Sequence, residues 1–268
     1  MRVRHSVALT IIAGYLVLVL VSELSHAGSS VVDPVMARIT RNAQLRVGYD
    51  AGIRPFTTMI NGTPAGYDID LMRHVAQDIG VSVVFVPTSL DAAYDELQHG
   101  HIDVMASAMP YAPEQGWRAR FSQVYFDDGL VVLARTAIGD DAALAQIPVG
   151  VVFGSDADTV LRQQRRQGQT VEIVHFDTLT ELWTALECAQ IDAVIVEQSY
   201  ALAMRHHDPT LQVGMALTFA PYVVVLPYDA LYLNDAINRS LQRARDRGVL
   251  NQLAARWMTI PPAICPSP

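Results

Sequence analysis

Strand-length apolar runs alternating with helix-period stretches predict an α/β protein of two Rossmann-like lobes joined by a two-strand hinge. A helix-turn-strand segment that recurs about 90 residues later argues for two similar lobes over one continuous sheet. Two extended apolar segments, placed so that the chain can enter a second lobe once and return, supply the hinge.

Taken in chain order, residues 1–27 carry the three parts of a secretory signal: Arg2 and Arg4, an apolar run from Val7 to Val21, and the polar end Ser25-His26-Ala27. Cleavage after Ala27 and a periplasmic location are expected. An uncleaved anchor is disfavoured, because a run of about 15 apolar residues falls short of the roughly 20 that span a bilayer. Strands are then expected from Leu45 to Gly48, Val81 to Val86, Ile102 to Met105, Val149 to Phe153, Val171 to Phe176, Ile191 to Val196 and Tyr222 to Leu226. Most are β-branched and nearly continuous in apolar character, as sheets covered on both faces require. Helical periods lie between them, at Ile69 to Ile79, Ala92 to Gln98, Thr159 to Gln167, Leu179 to Ala189 and Gln198 to His206, with a long one from Leu233 to Arg247 and a shorter one ending near Trp257.

The recurring segment runs from Glu96 to Val104 and again from Ala185 to Ala193. In each copy a helix ends on a small residue, the chain turns, and an Ile-Asp pair opens an apolar strand. The crossings are Tyr125 to Arg135, with Asp127-Asp128-Gly129, and Phe219 to Leu226, with Ala220-Pro221. Residues 40–128 plus 222–260 therefore form the expected first lobe, 129–221 the second, and 261–268 a Pro-rich tail.

The formal charge is -8, and loss of Arg2, Arg4 and Glu23 with the signal lowers it by one more unit. An acidic chain of this kind repels phosphate backbones, so nucleic acid is excluded as a partner. Cys188 and Cys265 make no disulfide framework. They read as a half-buried helical thiol and a thiol in the tail, with a bridge between them as the lesser alternative. His206-His207 reads as a solvated helix end, and neither a metal nor another cofactor is expected.

From Gly66 the run Gly66-Tyr67-Asp68-Ile69-Asp70-Leu71, with Val75-Ala76 and Ile79, resembles the signature of the family 3 extracellular solute-binding proteins. The likeness continues in order through Leu45 to Gly48, Leu97 with Gly100 and Ile102-Asp103, Phe121-Ser122, Val149 to Val151 with Gly154-Ser155, Ile191-Asp192, and Gly248 with Trp257. It implies a type 2 periplasmic binding fold, a small polar solute, a separate membrane permease and ATPase complex, and a monomer. Asp68, Asp70, Asp103 and Asp192 read as structural carboxylates, the first two because they precede a helix whose free N–H groups they can satisfy.

The resemblance also places the ligand between the lobes at the strand ends, where open α/β sheets generally hold one. Arg54 and Phe56 then follow the first strand, Ser107, Ala108, Met109 and Gln115 the third, and Gly154, Ser155, Asp156 and Glu197 come from the second lobe. Phe56 reads as a cleft wall and Tyr67 as core. Amino-acid binders of this family have Arg at the position of Gln115 and Ser or Thr at that of Pro110. A carboxylate buried without its cation costs on the order of 2–5 kcal/mol. The departure, with Glu197 and Asp156 both acidic, favours a neutral or cationic, amine-bearing solute, unless Arg54, Arg118 or Arg120 swings in. Asp156 reads more readily as the cap of its own helix.

A solute-binding protein is the leading reading. Alternatives are a dehydratase on the same fold, acting on cyclohexadienyl acids through Glu197 as general acid, and a sensory or accessory binding protein.

Overall fold

The computed structural model describes residues 33–260 and Cys265; the expected signal segment and the rest of the tail lie outside the described residues. Asp33 caps the first helix, α1 (Pro34–Asn42), by accepting from the Met36 N–H. Strand β1 (Gln44–Tyr49) follows at once, then a hairpin of β2 (Thr58–Ile60) and β3 (Thr63–Ala65).

Helix α2 (Tyr67–Ile79) begins after Gly66, whose φ is 131°. A Cβ there would lie 2.2 Å from the Phe56 carbonyl oxygen, so only glycine lets the chain pass. Strand β4 (Ser82–Pro87), helix α3 (Ala93–Gln98), β5 (Val104–Met105) and β6 (Ala119–Phe121) complete the first pass.

The chain crosses through β7 (Phe126–Asp127) and builds β8 (Leu130–Ala134), α4 (Asp141–Leu144), β9 (Pro148–Val152), α5 (Asp156–Arg166) and β10 (Glu172–Phe176). It continues through α6 (Leu179–Glu187), β11 (Ala193–Glu197), α7 (Gln198–His207) and β12 (Gln212–Ala216). It returns through β13 (Pro221–Tyr222) to β14 (Val225–Pro227), α8 (Leu231–Asp246) and α9 (Val249–Trp257).

Two five-stranded sheets result, ordered β4-β1-β5-β14-β6 and β10-β9-β11-β8-β12. In each, three strands run in one direction and the fourth position is taken by an antiparallel strand that has just crossed from the other sheet. The recurring segment ends on the third strand of each sheet, β5 and β11, which is why its two copies look alike. The sheets are joined by a two-stranded pair in which Phe126 opposes Tyr222 and Asp127 opposes Pro221. At this waist Gly129 passes so close to the return crossing that a Cβ would meet the Thr218 oxygen at 2.1 Å.

Buried Leu45, Val47 and Val104 form one face of the first core with Leu71, Val75 and Leu241 from its helices. Ile102, Met105 and Val225 pack on the other face. The second sheet is likewise covered on both sides, by Leu144 and Leu161 on one and by Leu182, Trp183 and Met204 on the other.

The Ile-Asp pair opens β5 differently from the expectation. The strand starts at Val104, because the buried Asp103 carboxylate accepts from the Arg46 N–H at 2.8 Å and pairs with the guanidinium groups of Arg46 and Arg38. The cysteines also depart from their expected reading as two free thiols. Cys188, at the end of α6, is bonded to Cys265, with 5.6 Å between their Cα atoms. Met258 is buried and Ile260 packs against the cores of both lobes, so the chain end leaves the first lobe and reaches the second.

Among the described residues no helix is long and apolar enough to cross a membrane.

Candidate ligand-binding cleft

The candidate site residues follow β1 and β5 in the first sheet and β9 and β11 in the second. Ser107, beyond β5, is fully buried: its hydroxyl accepts from the Asp50 N–H at 3.0 Å, donates to the Asp50 carbonyl at 3.1 Å and meets the Thr57 hydroxyl at 2.9 Å. It therefore fastens the loop after β5 to the loop after β1. Ala108 takes a left-handed φ of 46° and donates its N–H to Asp68 Oδ2 at 2.6 Å. Met109 is buried, and its carbonyl accepts from the Val223 N–H at 2.9 Å. Pro110 bridges to Tyr222, and the Tyr111 N–H donates to the Pro221 carbonyl. The Ser107–Tyr111 loop is thus bonded directly to the return crossing.

Asp68 lies beneath this loop with no exposed surface. Burial pushes its carboxyl up to about 7, against the Ala108 N–H and the Tyr125 hydroxyl, which stabilise the anion. The signature residue is structural, as expected from sequence, but through this loop anchor and not through a helix cap.

Phe56 is placed differently from its reading as a cleft wall. It is only 2% exposed, with its ring against Tyr67, Phe126 and Tyr222 at centroid distances of 5.1–6.0 Å. The backbone explains this, since the Phe56 carbonyl accepts from the Asp68 N–H and draws the residue down onto the start of α2. Arg54, two residues earlier, stays exposed at the surface.

Gln115 ends a single 3-10 turn and accepts from Arg118 Nε at 2.8 Å. Arg118 also lies 3.6 Å from Asp95 and stacks over Tyr94 at 4.3 Å. Arg120 donates to the Tyr228 carbonyl and stacks on that ring.

On the second lobe, Ser155 caps α5 by accepting from the Asp158 N–H, while Asp158 accepts from the Gly154 N–H at 2.9 Å. The expectation that Asp156 caps this helix is corrected: its position inside the first turn points the carboxylate outward, where it is exposed. Asp158 itself is buried between Arg162 Nε at 2.7 Å and His175 Nε2 at 2.9 Å. Burial raises its carboxyl, but Arg162, the Gly154 N–H and His175 outweigh that and hold it at about 2.

A depressed folded value means that Asp158 stabilises the fold above about pH 4 and loses that effect as pH falls toward 2. Asp158→Asn is expected to lower unfolding free energy by about 1–2 kcal/mol at pH 7. Urea titrations from pH 7 down to pH 2.5 should show the gap between variant and parent closing.

Glu197 ends β11 at the start of α7. Beside it stands Asp128, which sequence reading left as part of a crossing. Its carboxylate accepts from the Ser199 N–H at 2.7 Å, the Ser199 hydroxyl at 3.2 Å and the Tyr222 hydroxyl at 3.4 Å. Burial raises its carboxyl to about 6; Ser199 opposes the shift and the Glu197 charge adds to it. Two aromatic rings that sequence reading passed over also flank the strand ends, Tyr111 and the 61% exposed Phe153, the latter beneath Arg162. Exposure at the end of an otherwise buried strand was the available signal for Phe153.

Arg54 lines a groove of about 320 Å³ together with Thr58, Ser199 and Tyr200 at the start of α7, and Trp257 and Thr259 near the chain end. Among the described residues no three His, Cys, Asp or Glu side chains are grouped to hold a metal.

Residues 45–260 match the model of the bacterial extracellular solute-binding proteins, family 3. The ABC transporter glutamine-binding protein GlnH of Bacillus subtilis is 24% identical over 85% of this chain and 86% of its own length. A polar amino acid ABC uptake transporter substrate-binding protein from Streptococcus thermophilus superposes with a TM-score of 0.73 at 20% identity, over 82% of this chain and 88% of that one. An ancestral cyclohexadienyl dehydratase superposes with a TM-score of 0.71 at 21% identity, over 87% and 99%. At these identities both superpositions speak for the shared architecture.

Proposed function

Because this chain belongs to the bacterial extracellular solute-binding proteins of family 3, we propose that it captures a small amine-bearing, amino-acid-like solute outside the cytoplasmic membrane and delivers it to a separate permease and ATPase complex. The solute enters between the two sheets, and rotation about the β7–β13 pair closes them on it. The observation that carries this reading is the acidic waist, where Asp128 and Glu197 lie together at the point about which the lobes turn. Carboxylates there attract a cationic group and reward closure around it. The name of the Bacillus subtilis relative supports an amino-acid-type ligand.

Calorimetry against amines, amino acids and small organic acids is the test, with X-ray scattering to follow closure. Binding of an amine-bearing compound with a fall in radius of gyration is expected. Affinity should rise between pH 5 and pH 7, as Asp128 loses its proton near 6 and presents a full negative charge. A broad panel without binding or compaction would refute the assignment.

A dehydratase reading draws on the likeness to the ancestral enzyme and on Asp128, whose raised carboxyl suits a general acid and stands beside the expected Glu197. Release of product from prephenate or arogenate would replace the binding reading with that one.

A further inference from the structure

Away from the strand ends, helix α7 of the second lobe packs against α9 of the first, and the two leave a groove of about 440 Å³ beside the crossings. Its walls come from both lobes and both crossings: Tyr67 and Arg245 from the first lobe, Gln198 and Leu202 from the second, Gly129 and Phe219 from the chain between them. None of Ser107, Gln115, Ser155 and Glu197 lines it, so it is a separate place on the molecule. Past Leu202, Asn251 and Ala254, which the two share, it continues into a second groove of the same volume that carries Arg205 and His206. Gln198, Leu202, Arg205 and His206 recur at helical spacing, so one face of α7 serves both.

Tyr67 is 1% exposed and its ring stacks on Tyr125 at a centroid distance of 6.2 Å, yet its hydroxyl makes no hydrogen bond to any described residue. A hydroxyl held this deep without a partner is costly unless something in the groove accepts from it. Burial and the Asp68 charge push the phenol up while Arg245 opposes the shift, so the group remains a donor near neutral pH. Arg245 is anchored through the Val124 carbonyl at 2.7 Å and Gln242 Oε1 at 3.3 Å, which leaves further N–H donors of its guanidinium free. The side-chain amides of Gln198 and Asn251 make no hydrogen bond to the described residues either.

Among the described residues on these walls Asp127 is the one carboxylate, and its Oδ1 already accepts from the Gly129 and Ala220 N–H groups at 3.0 and 2.8 Å. Against it stand Arg245, Arg205 and His206, on a chain whose formal charge is -8. Donors and positive charge gathered in one groove of an acidic protein select an anion. Phe126, Leu202, Leu250 and the 80% exposed Phe219 supply apolar surface for the body behind that charge.

We infer that the α7–α9 groove is a second binding site, which takes a small organic carboxylate with an aromatic or aliphatic body and receives its anionic end on Tyr67 and Arg245. An occupant there touches both lobes, whatever the strand ends hold.

Calorimetry of the purified protein with benzoate, phenylacetate and hexanoate, each beside its uncharged amide, tests this. At least one carboxylate should bind, with its amide about 10-fold weaker or more. Tyr67→Phe, which keeps the buried ring and removes only the hydroxyl, should weaken that carboxylate about 3- to 10-fold at an unchanged thermal midpoint. Arg245→Gln should weaken it by about 10-fold or more. If loss of the Val124 contact lowers the thermal midpoint of Arg245→Gln, Tyr67→Phe decides the matter. Binding of the carboxylate by Tyr67→Phe as tightly as by the parent, equal binding of the amide, or no binding of any carboxylate would each overturn the site. The solute-binding reading would be untouched by these results.

Discussion

Replacing Cys188 and Cys265 together by serine is expected to lower the free energy of unfolding by roughly 3–5 kcal/mol. The two residues are 77 positions apart, so the bridge closes a long loop and removes much of the freedom of the unfolded chain. In the loop-closure treatment such a loop approaches the upper end of that range, and native geometry here offers no gap to bridge, with Cα atoms 5.6 Å apart. The loss is larger than a surface change would give because the bridge also fastens the chain end that carries Ile260 between the two cores. Urea unfolding followed by tryptophan fluorescence checks this, with Trp183 reporting on the second lobe. The parent treated with a dithiol reductant should unfold at the urea concentration of the double serine variant. Equal stability of oxidised and reduced protein would refute the expectation.

Asp68→Asn should stabilise the protein, with a gain that grows with pH. The folded carboxyl titrates at about 7 and the unfolded one at 3.8, so below about pH 4 both states hold the proton and the residue is neutral in its effect. Between those values the unfolded chain releases the proton while the folded chain keeps it, and stability falls as pH rises. Above about pH 7 the cost is constant, on the order of 4 kcal/mol. Asparagine can still accept from the Ala108 N–H, and its amide can donate toward the Tyr125 hydroxyl, so the anchor of the Ser107–Tyr111 loop is kept. Chemical unfolding should separate variant from parent little at pH 4.5 and most at pH 8. A variant that is less stable at pH 8, with no trend across the series, would show that burial is not what governs this carboxyl.

Much of the architecture was legible because it is written in period and repetition. The β-branched runs named the central strands, the copies at Glu96 to Val104 and Ala185 to Ala193 named equivalent positions in two sheets, and the crossings named the waist. What escaped depended on depth or on distance through space. Phe56 looked like a cleft residue because it sits near one in sequence, yet the close approach that Gly66 allows turns it inward. Ser155 and Asp156 are both able to cap a helix, and only the backbone conformation decides for Ser155. Asp128 resembled any polar linker residue until Ser199 and Tyr222 were found around it. Two cysteines in chain segments of different lobes carry no local sign of meeting.

The bonds between the Ser107–Tyr111 loop and the return crossing have a consequence for how new specificities can arise. On the proposed binding reading, a replacement in that loop would alter recognition and the stiffness of the joint at once, so variation there would be doubly constrained. The Phe153–Asp156 turn is bonded to its own lobe, through Phe176, Val152 and Asp158. On the same proposed reading, this turn could drift toward a different guest while the crossing stays as it was.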